Sequence, residues 1–308
     1  MVSAPKEESA RHPLCSGIEN RPALLGHYHR AKMQRFIFPL LISSLMVSRA
    51  EESVKPARDP AYKLVWADEF NHDGPPDPAV WRSEEGFARN KELQWYQAAN
   101  SRCQGGFLVI EARKEQVANP NYEKDSPDWR KSRRMAEYTS GSLITIGQNE
   151  WKFGRYEVRA RFQALQGLWP AIWTTGRGRW PHGGEIDIME FYKDQILANF
   201  VWAGKGGKDR WATSTHPIDD FGKAAWNEKF HVWVMEWTEE KIDIYLDGKR
   251  LNSLDMKTTA NEDGPSINPF LGPQHFRFDM AVGANGGDPD ETRFPQRYEV
   301  DYVRIYQK

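Results

Sequence analysis

The chain has 308 residues, 39% of them hydrophobic, and carries 42 Lys and Arg against 43 Asp and Glu. A chain of this length buries a full core, and large β sandwiches reach this size as one domain. The net charge of -1 excludes the strongly basic surface of a typical nucleic-acid-binding protein, so no nucleic-acid partner is expected. The 13 Trp exceed what a core normally needs; the surplus would suit stacking on sugar rings, although large β-sandwich cores also absorb Trp.

Residues 33–50 have the pattern of a secretory signal peptide. The segment starts with basic residues, continues with an apolar run from Phe36 to Val47, and ends with small residues at Ser48 and Ala50. The run is too short to span a bilayer, and cleavage after Ala50 fits the pattern. We therefore expect a secreted or periplasmic protein with no membrane span; a buried helix is the alternative interpretation.

The chain accordingly divides into three parts. Residues 1–50 are the predicted leader and signal peptide, and residues 51–61 are a short linker. Residues 62–308 are predicted to form one main domain, which we expect to be a monomer.

The main domain has the pattern of an all-β fold. Apolar and charged residues alternate strictly over 155–162, which predicts a half-buried strand, and similar alternation occurs at 107–113 and around 276–282. Residues 242–246 read as a strand that enters a tight hairpin, because Asp247-Gly248 supplies the positive φ angles of a type I′ turn. Many short strands punctuated by Gly, Pro and Asn predict an antiparallel sandwich of jelly-roll type. The polar stretch 115–137 is predicted to be a long surface loop.

Three acids lie close together in an otherwise apolar, β-prone segment, at Glu185, Asp187 and Glu190. On a regular strand Glu185 and Asp187 share one face about 7 Å apart, whereas Glu190 points the other way. A β-bulge at Ile188–Met189 would turn Glu190 back to the face of the other two. Carboxylates crowded on one face repel one another, so at least one should hold its proton more tightly than a free carboxyl.

Spacing alone leaves three interpretations of this trio. A carboxyl with a raised pKa beside an ionised carboxylate is what cleavage of a glycosidic bond requires. The acids could instead hold Ca²⁺ through their oxygens, or form a solvated strand face.

The motif Glu185-Ile186-Asp187-Ile188-Met189-Glu190 resembles the E-x-D-x-x-E signature of glycoside hydrolase family 16, in the branch of laminarinases, β-agarases and endo-β-galactosidases. Further similar motifs occur in the expected order: Trp66-Ala67-Asp68-Glu69-Phe70, Glu92-Leu93-Gln94-Trp95-Tyr96, Leu168-Trp169-Pro170-Ala171-Ile172-Trp173, Trp180-Pro181 and the terminal strand from Tyr298 to Tyr306. The resemblance covers roughly residues 62–308, which identifies this part as the catalytic domain.

The resemblance implies a concanavalin-like β-jelly roll with a substrate cleft across one sheet. It implies that Glu185 is the nucleophile, Glu190 the general acid/base, and Asp187 a helper that hydrogen-bonds the nucleophile. The enzyme would be a retaining, endo-acting β-glycosidase that needs no cofactor.

Aromatic residues near the motif are the expected substrate contacts. Trp180 should form a wall of the subsite beside the cleaved bond, whereas Trp95 and Trp173 belong either to the cleft or to the core. Trp211 and His216 lie on a predicted cleft-edge loop and are candidate substrate contacts.

One position departs from the family pattern. Many β-1,3-glucanases of the family have a His on the strand after the acid/base, whereas this chain has Asn199-Phe200-Val201-Trp202-Ala203. Trp202 is the expected occupant of that place, which weakens the transfer of a laminarin specificity.

A structural calcium ion is common in similar proteins, and the resemblance implies Glu69 and Asp301 as its ligands here. Such an ion would have a structural role rather than a catalytic one.

The resemblance leaves several substrates and functions open. The first expectation is an endo-β-1,3- or β-1,3/1,4-glucanase. The alternatives are an endo-β-galactosidase of the agarase or porphyranase type or of the type that cuts mucin glycans, a transglycosylase, and a lectin on the same fold. A lectin should have lost one of the three acids, and all three are present.

Overall fold

The structure is a computed structural model, which describes residues 60–145, 147 and 149–308. The predicted signal peptide and almost all of the predicted linker lie outside the described residues. Within the part of the chain that is described, no helix is long and apolar enough to cross a membrane.

Strands dominate the described chain, and helices are short. In chain order the strands are β1 (Lys63–Asp68), β2 (Trp81–Ser83), β3 (Gln94–Tyr96), β4 (Ser101–Gln104), β5 (Phe107–Ala112), β6 (Val117–Ala118), β7 (Met135–Ala136), β8 (Tyr138–Ser140), β9 (Ser142–Thr145), β10 (Glu150–Trp151), β11 (Gly154–Phe162), β12 (Leu168–Gly176), β13 (Glu185–Tyr192), β14 (Gln195–Ala203), β15 (Asp209–Pro217), β16 (His231–Trp237), β17 (Lys241–Leu246), β18 (Lys249–Asp255), β19 (Gln274–Val282) and β20 (Gln296–Gln307). The α-helices are α1 (Trp129–Ser132) and α2 (Lys223–Trp226), and single 3₁₀ turns occur at Ala98–Asn100, Lys205–Gly207, Ile218–Phe221, Met256–Thr258, Pro269–Leu271 and Ala284–Gly286.

Most of the strands form two eight-stranded antiparallel sheets. The first, which we call the cleft sheet, has the order β15-β14-β13-β12-β19-β9-β2, with β10 paired to β19. The second, the outer sheet, has the order β18-β17-β16-β11-β20-β5-β4, with β1 paired to β20. The prediction of an all-β jelly-roll sandwich of two antiparallel sheets is confirmed.

The core lies between the two sheets and is built from the inward-facing residues of their strands. In β11, the residues Tyr156, Val158, Ala160 and Phe162 are at most 1% exposed, as the strict alternation in this segment predicts. The predicted hairpin after β17 also forms, with φ angles of 48° at Asp247 and 84° at Gly248. Local sequence patterns thus specify the strands that carry the core.

The stretch 115–137, predicted to be a surface loop, is folded. It contains the paired strands β6 and β7 and the helix α1. Trp129 of this helix packs against Phe87 and Trp95, beside the buried residue Ala136. This small cluster explains the difference, because it gives a mainly polar segment an apolar anchor that has no periodic signal.

We predict that Phe162→Ala lowers the free energy of unfolding by about 3–5 kcal/mol, because it leaves a cavity in the core. Phe162 is 1% exposed, and its ring centroid lies 5.4 Å from Phe191 and 5.6 Å from Trp226. Urea denaturation measures the change. The control is Ile267→Ala at a 61% exposed side chain, which should stay within about 0.5 kcal/mol of wild type; equal losses in the two variants would contradict this description of the core.

Candidate active site

An irregularity in β13 sets the direction of its acidic side chains. On the neighbouring strand β12, Trp173 pairs with Asp187 and the adjacent residue, Ile172, pairs with Met189. Ile188, between these two residues of β13, therefore has no partner on β12 and is the extra residue of the bulge. The pairing of β13 with β14 shifts at the same place. The predicted β-bulge is therefore confirmed.

The bulge brings three carboxyl groups to one face of the sheet. Ile188 and Met189 are both buried in the core, at 1% and 0% exposure, whereas Glu185, Asp187 and Glu190 all line the cleft. In a regular strand Glu190 would point into the core, because side chains alternate between the faces.

The three acids lie in a cleft of about 1320 Å³ that crosses the cleft sheet. A continuous row of directly paired, cleft-lining residues runs from β15 to β2: Thr213, Asn199, Asp187, Trp173, Arg277, Ile144 and Arg82. Seven strands spaced by about 4.8 Å make this row about 29 Å long. A groove of this length suits a polymer chain better than a small molecule.

Glu185 lies among groups that act on its pKa in opposite directions. Burial raises the pKa of Glu185 to about 7, and the negative charge of Asp279 adds to the rise. The indole N–H of Trp180, which donates to Glu185 Oε2 at 3.1 Å, lowers this pKa, as do the positive charges of Arg89 and Arg277. The arginines therefore favour the ionised form of Glu185.

Glu190 has a different set of neighbours. Burial raises the pKa of Glu190 to about 7, and the charge of Glu185 adds to the rise. Trp169 Nε1 donates to Glu190 Oε1 at 2.8 Å, and Asn199 Nδ2 donates to Oε2 at 2.6 Å; both bonds lower the pKa. The pKa of Glu190 is thus set mainly by burial, neutral hydrogen-bond donors and like charges, whereas two cations also act on the pKa of Glu185.

Asp187 lies between the two glutamates on β13 and is 4% exposed. Burial raises the pKa of Asp187 well above its usual range, and the charges of Glu190 and Glu185 raise it further. A hydrogen-bonding contact with Glu190 acts in the same direction, and one with Asn199 opposes it. Carboxyl groups this close cannot all ionise near neutral pH, so the trio shares protons.

Arg277 of β19 reaches toward Glu185 across one strand. Its Nε donates to Thr175 Oγ1 at 3.1 Å, and Thr175 is the direct cross-strand partner of Glu185. The positive charge is therefore held beside the first acid of the motif.

Trp173 lies in the middle of a charged cluster. The guanidinium groups of Arg89 and Arg277 lie 5.1 and 4.7 Å from its ring centroid, and its Nε1 donates to Asp279 Oδ1 at 2.6 Å. Both arginines pair with Glu84. Of the two places predicted for Trp173, the structure therefore gives the cleft.

Trp180 and Trp211 form the opposite wall of the cleft, as the sequence predicts. They are 48% and 46% exposed, and their ring centroids are 6.5 Å apart. The indole of Trp211 donates to Asp209. Two large exposed aromatic faces are thus held in place beside Glu185.

Two of the candidate tryptophans are buried: Trp95 in the small cluster with Phe87 and Trp202 in the core between the sheets. For Trp95, burial is one of the two places that the sequence left open, whereas for Trp202 it corrects the prediction. Trp95 is 9% exposed and packs against Phe87 at 5.4 Å. Trp202 is 3% exposed and packs against Phe270 at 6.2 Å. Trp202 cannot fill the place of the family His, because it points away from the cleft while its neighbour Val201 pairs with Glu185.

His216 is also a correction to the sequence prediction. Its Nε2 lies 3.0 Å from the carbonyl oxygen of Leu251 on β18, and its ring contacts Phe221 at 6.2 Å. Because Trp211 and Thr213 of β15 line the cleft, alternation turns His216 to the other side of the strand.

The predicted calcium ligands are ion-pair partners in the structure. Glu69 accepts hydrogen bonds from Arg304 Nε and Nη2 at 2.7 and 2.9 Å, and Asp301 pairs with Arg159. Among the described residues, no group of three or more His, Cys, Asp or Glu side chains could hold a metal ion. A guanidinium thus neutralises each of the two carboxylates, and their assignment as calcium ligands stays a prediction.

The structure adds cleft residues that the sequence interpretation missed. Trp169 and Asn199 bond Glu190, and Arg89 and Arg277 act on Glu185. Alternation with Trp173 could have revealed Trp169, since the two share a face of β12. Arg89 precedes β3 in a loop, where no periodic signal exists.

Comparisons with known proteins agree with this geometry. The family model described as glycosyl hydrolases family 16 matches residues 104–304. A protein of Rhodothermus marinus named beta-glucanase is 34% identical in an alignment of 304 residues. The alignment covers 89% of this chain and 95% of that protein.

Two solved structures are similar over most of the chain. One, from a study of endo-acting O-glycanases that human gut microbiota express to initiate mucin breakdown, is 35% identical with a TM-score of 0.73 and covers 81% of this chain and 92% of its own. The catalytic domain of an endo-1,3-beta-glucanase (laminarinase) from Thermotoga petrophila is 33% identical with a TM-score of 0.66, and the match covers 80% of this chain and 98% of that one.

We predict that Trp169→Phe raises the pKa of Glu190, because it removes a hydrogen bond to the charged form while keeping an aromatic ring. NMR titration of the Glu190 side-chain carboxyl carbon in protein labelled at glutamate measures the change. The matched control is Trp66→Phe, which removes an indole that packs against Trp81 and Trp151, away from the acids. A Glu190 pKa that is unchanged or lower in Trp169→Phe would contradict the assigned bond.

Proposed function

The chain belongs to glycosyl hydrolase family 16, and we propose that it cleaves internal β-linkages of a polysaccharide with retention of configuration. Three carboxyl groups on one face of a bulged strand, in a cleft that spans seven strands, carry this proposal. An open cleft of this length admits a chain that continues on both sides of the cleaved bond, which is the requirement for endo-acting cleavage.

Glu185 is the proposed nucleophile and Glu190 the proposed general acid/base. A nucleophile must be ionised and a general acid must hold a proton. Burial raises the pKa of both glutamates to about 7, so their pKa values alone do not separate the roles. The motif assigns the roles, and the positive charges of Arg89 and Arg277, which favour the ionised form of Glu185, agree with that assignment.

The proposed reaction has two steps. Glu190 protonates the leaving oxygen while Glu185 attacks the anomeric carbon and forms a glycosyl ester, and Glu190 then takes a proton from the water that hydrolyses this ester. Asp187 is the proposed helper: its contacts with both glutamates let it exchange a shared proton as their charges change. No cofactor takes part in this scheme.

The first proposed substrate is a β-1,3-glucan or a mixed-linkage β-1,3/1,4-glucan. The beta-glucanase of Rhodothermus marinus, which aligns along 95% of its length, and the laminarinase of Thermotoga petrophila support this choice.

The second proposed substrate is a galactose-containing glycan, cut by an endo-β-galactosidase activity of the agarase, porphyranase or mucin-glycan type. Two observations favour it. The first is that β14, the strand on which many β-1,3-glucanases of the family have a His, has none here, and its residue opposite Glu185 is Val201. The second is the similarity, with a TM-score of 0.73, to the structure from the study of mucin-degrading O-glycanases.

We further propose that the enzyme acts as a monomer and that it is exported; the signal-like segment at 33–50 supports the export. A panel of polysaccharides tests which substrate the enzyme cleaves, with product sizes measured by chromatography: laminarin, mixed-linkage glucan, agarose, porphyran and mucin-type poly-N-acetyllactosamine. New reducing ends indicate hydrolysis, redistribution of chain lengths indicates transglycosylation, and binding without either indicates a lectin.

We predict that Glu185→Gln abolishes activity on every substrate, because an amide cannot form the ester. Glu190→Gln should reduce kcat/KM on the polysaccharide by about 10²–10⁴ but change kcat/KM little on a dinitrophenyl glycoside that the wild type cleaves, since kcat/KM reports the first step and that leaving group needs no proton. Initial rates measure both effects. Glu239→Gln, at an exposed acid after β16, is the control with wild-type rates. Full activity of Glu185→Gln, or equal losses of Glu190→Gln on both substrates, would refute the roles.

We predict that Arg277→Gln moves the acidic limb of the pH profile of kcat/KM to higher pH. Loss of the cation raises the pKa of Glu185, so a higher pH is needed to ionise the nucleophile. The pH dependence of initial rates measures the shift, with Arg297→Gln on the outer sheet as the control. An unchanged acidic limb would show that Arg277 does not control the charge of Glu185.

A further inference from the structure

The cleft wall next to Trp173 is a loop whose backbone is bonded by a separate segment of the chain, of which Arg130 also lines the cleft. This wall, the 88–92 loop, carries Arg89, Asn90 and Glu92, which all line the cleft. It lies on the side away from Trp211, because Arg89 stacks over Trp173 at 5.1 Å. The loop therefore faces the half of the cleft that lies over β19.

The backbone of the 88–92 loop has an unfavourable conformation. Asn90 and Lys91 both have a φ of 54°, in the left-handed region that L-residues with side chains disfavour; Asn tolerates it better than Lys. The amide of Glu92 bonds back to the carbonyl of Arg89 at 3.2 Å. A tight turn of this kind persists only where its surroundings hold it.

Two arginines from α1 and the residue after it hold the backbone carbonyls of the loop. Arg130 donates from Nε and Nη2 to the carbonyl of Ala88 at 3.1 and 2.9 Å. Arg133 donates from Nη2 to the carbonyl of Lys91 at 2.8 Å and from Nη1 to that of Glu92. Every one of these bonds is charge-assisted, and together they span the loop.

The arginines are themselves fixed by packing. The guanidinium of Arg133 lies 5.1 Å from the ring of Phe87 and 4.9 Å from that of Trp129. Asn119, which is 5% exposed, donates to the carbonyls of Arg130 and Arg133 at 2.7 and 2.8 Å. The segment 115–137 thus forms a packed and hydrogen-bonded support for the loop.

We propose that Arg133 is a positioning residue that holds the 88–92 loop in the shape that recognises the sugar units bound over β19. The inference rests on the proposed function, because it concerns how that cleft binds its polymer. Arg133 does not line the cleft, so it acts on the substrate through the backbone of the loop. The guanidinium of Arg89 is held separately by Glu84 and over the ring of Trp173. Loss of the Arg133 bonds should therefore weaken binding of the substrate chain while the positive charge near Glu185, and with it the chemical step, is retained.

The test compares steady-state kinetics of Arg133→Ala, Arg133→Lys and wild type on the polysaccharide that wild type cleaves best. Arg133→Ala should raise KM about tenfold with kcat within twofold of wild type. Arg133→Lys retains one charged donor and should raise KM less. Arg134→Ala is the matched control, since this neighbouring side chain is exposed and makes no hydrogen bond within the described ranges; it should behave as wild type.

Hydrogen–deuterium exchange of the amides of residues 89–92 provides a readout that does not depend on activity. Exchange should be faster in Arg133→Ala than in wild type and Arg134→Ala. A wild-type protein that cleaves no glycan contradicts the proposed function, while the exchange measurement still tests the support. An unchanged KM, a fall in kcat at constant KM in both Arg133 variants, or unchanged exchange would overturn the inference.

Discussion

The site depends on one extra residue in β13. Ile188 and Met189 both insert into the core, and burial of two large apolar side chains is favourable by several kcal/mol. Because a strand alternates its faces, this insertion obliges Glu190 to leave the core and join Glu185 and Asp187 over the cleft. Hydrophobic burial on one side of the sheet thus determines which acidic side chains lie together on the other side.

The same arrangement makes it energetically unfavourable to ionise all three carboxyl groups at once. Burial raises the pKa of Glu185, Asp187 and Glu190, and nearby negative charges add to each rise: Asp279 for Glu185, the two glutamates for Asp187, and Glu185 for Glu190. The site therefore keeps protons near neutral pH. The cations act mainly on one end of the trio: Arg277 bonds Thr175, the strand partner of Glu185. Neutral donors, Trp169 and Asn199, bond Glu190 instead. This asymmetry agrees with the proposed division of roles, in which Glu185 is the nucleophile and Glu190 the general acid/base.

The sequence was informative wherever alternation or motif spacing decides the structure. It predicted the strand at 155–162, the Asp247-Gly248 hairpin and the bulge, because each depends on local periodicity and turn chemistry. Alternation could also have excluded Trp202, which shares a face with the core residue Phe200 rather than with Asn199.

Other features depend on contacts that are distant in sequence. Trp95 is buried in a small separate cluster, because β3 joins a parallel pair with β8 and Trp95 packs against Phe87. Glu69 meets Arg304 across 235 residues, so no local pattern shows that an arginine neutralises it. The support formed by 115–137 has a polar composition that is typical of a loop, and Trp129 and Asn119 fold it through tertiary contacts.

Proton NMR of the products during the first turnovers tests the central claim most directly. The bulge turns Glu185 and Glu190 to one face of the cleft sheet. In a retaining enzyme the two carboxyl groups lie roughly 5–5.5 Å apart and leave no space for an attacking water between them and the sugar, and we expect that arrangement here. The new reducing ends should therefore appear first as the β-anomer and convert to the α-anomer only by mutarotation. Reducing ends that appear first as the α-anomer would contradict the account.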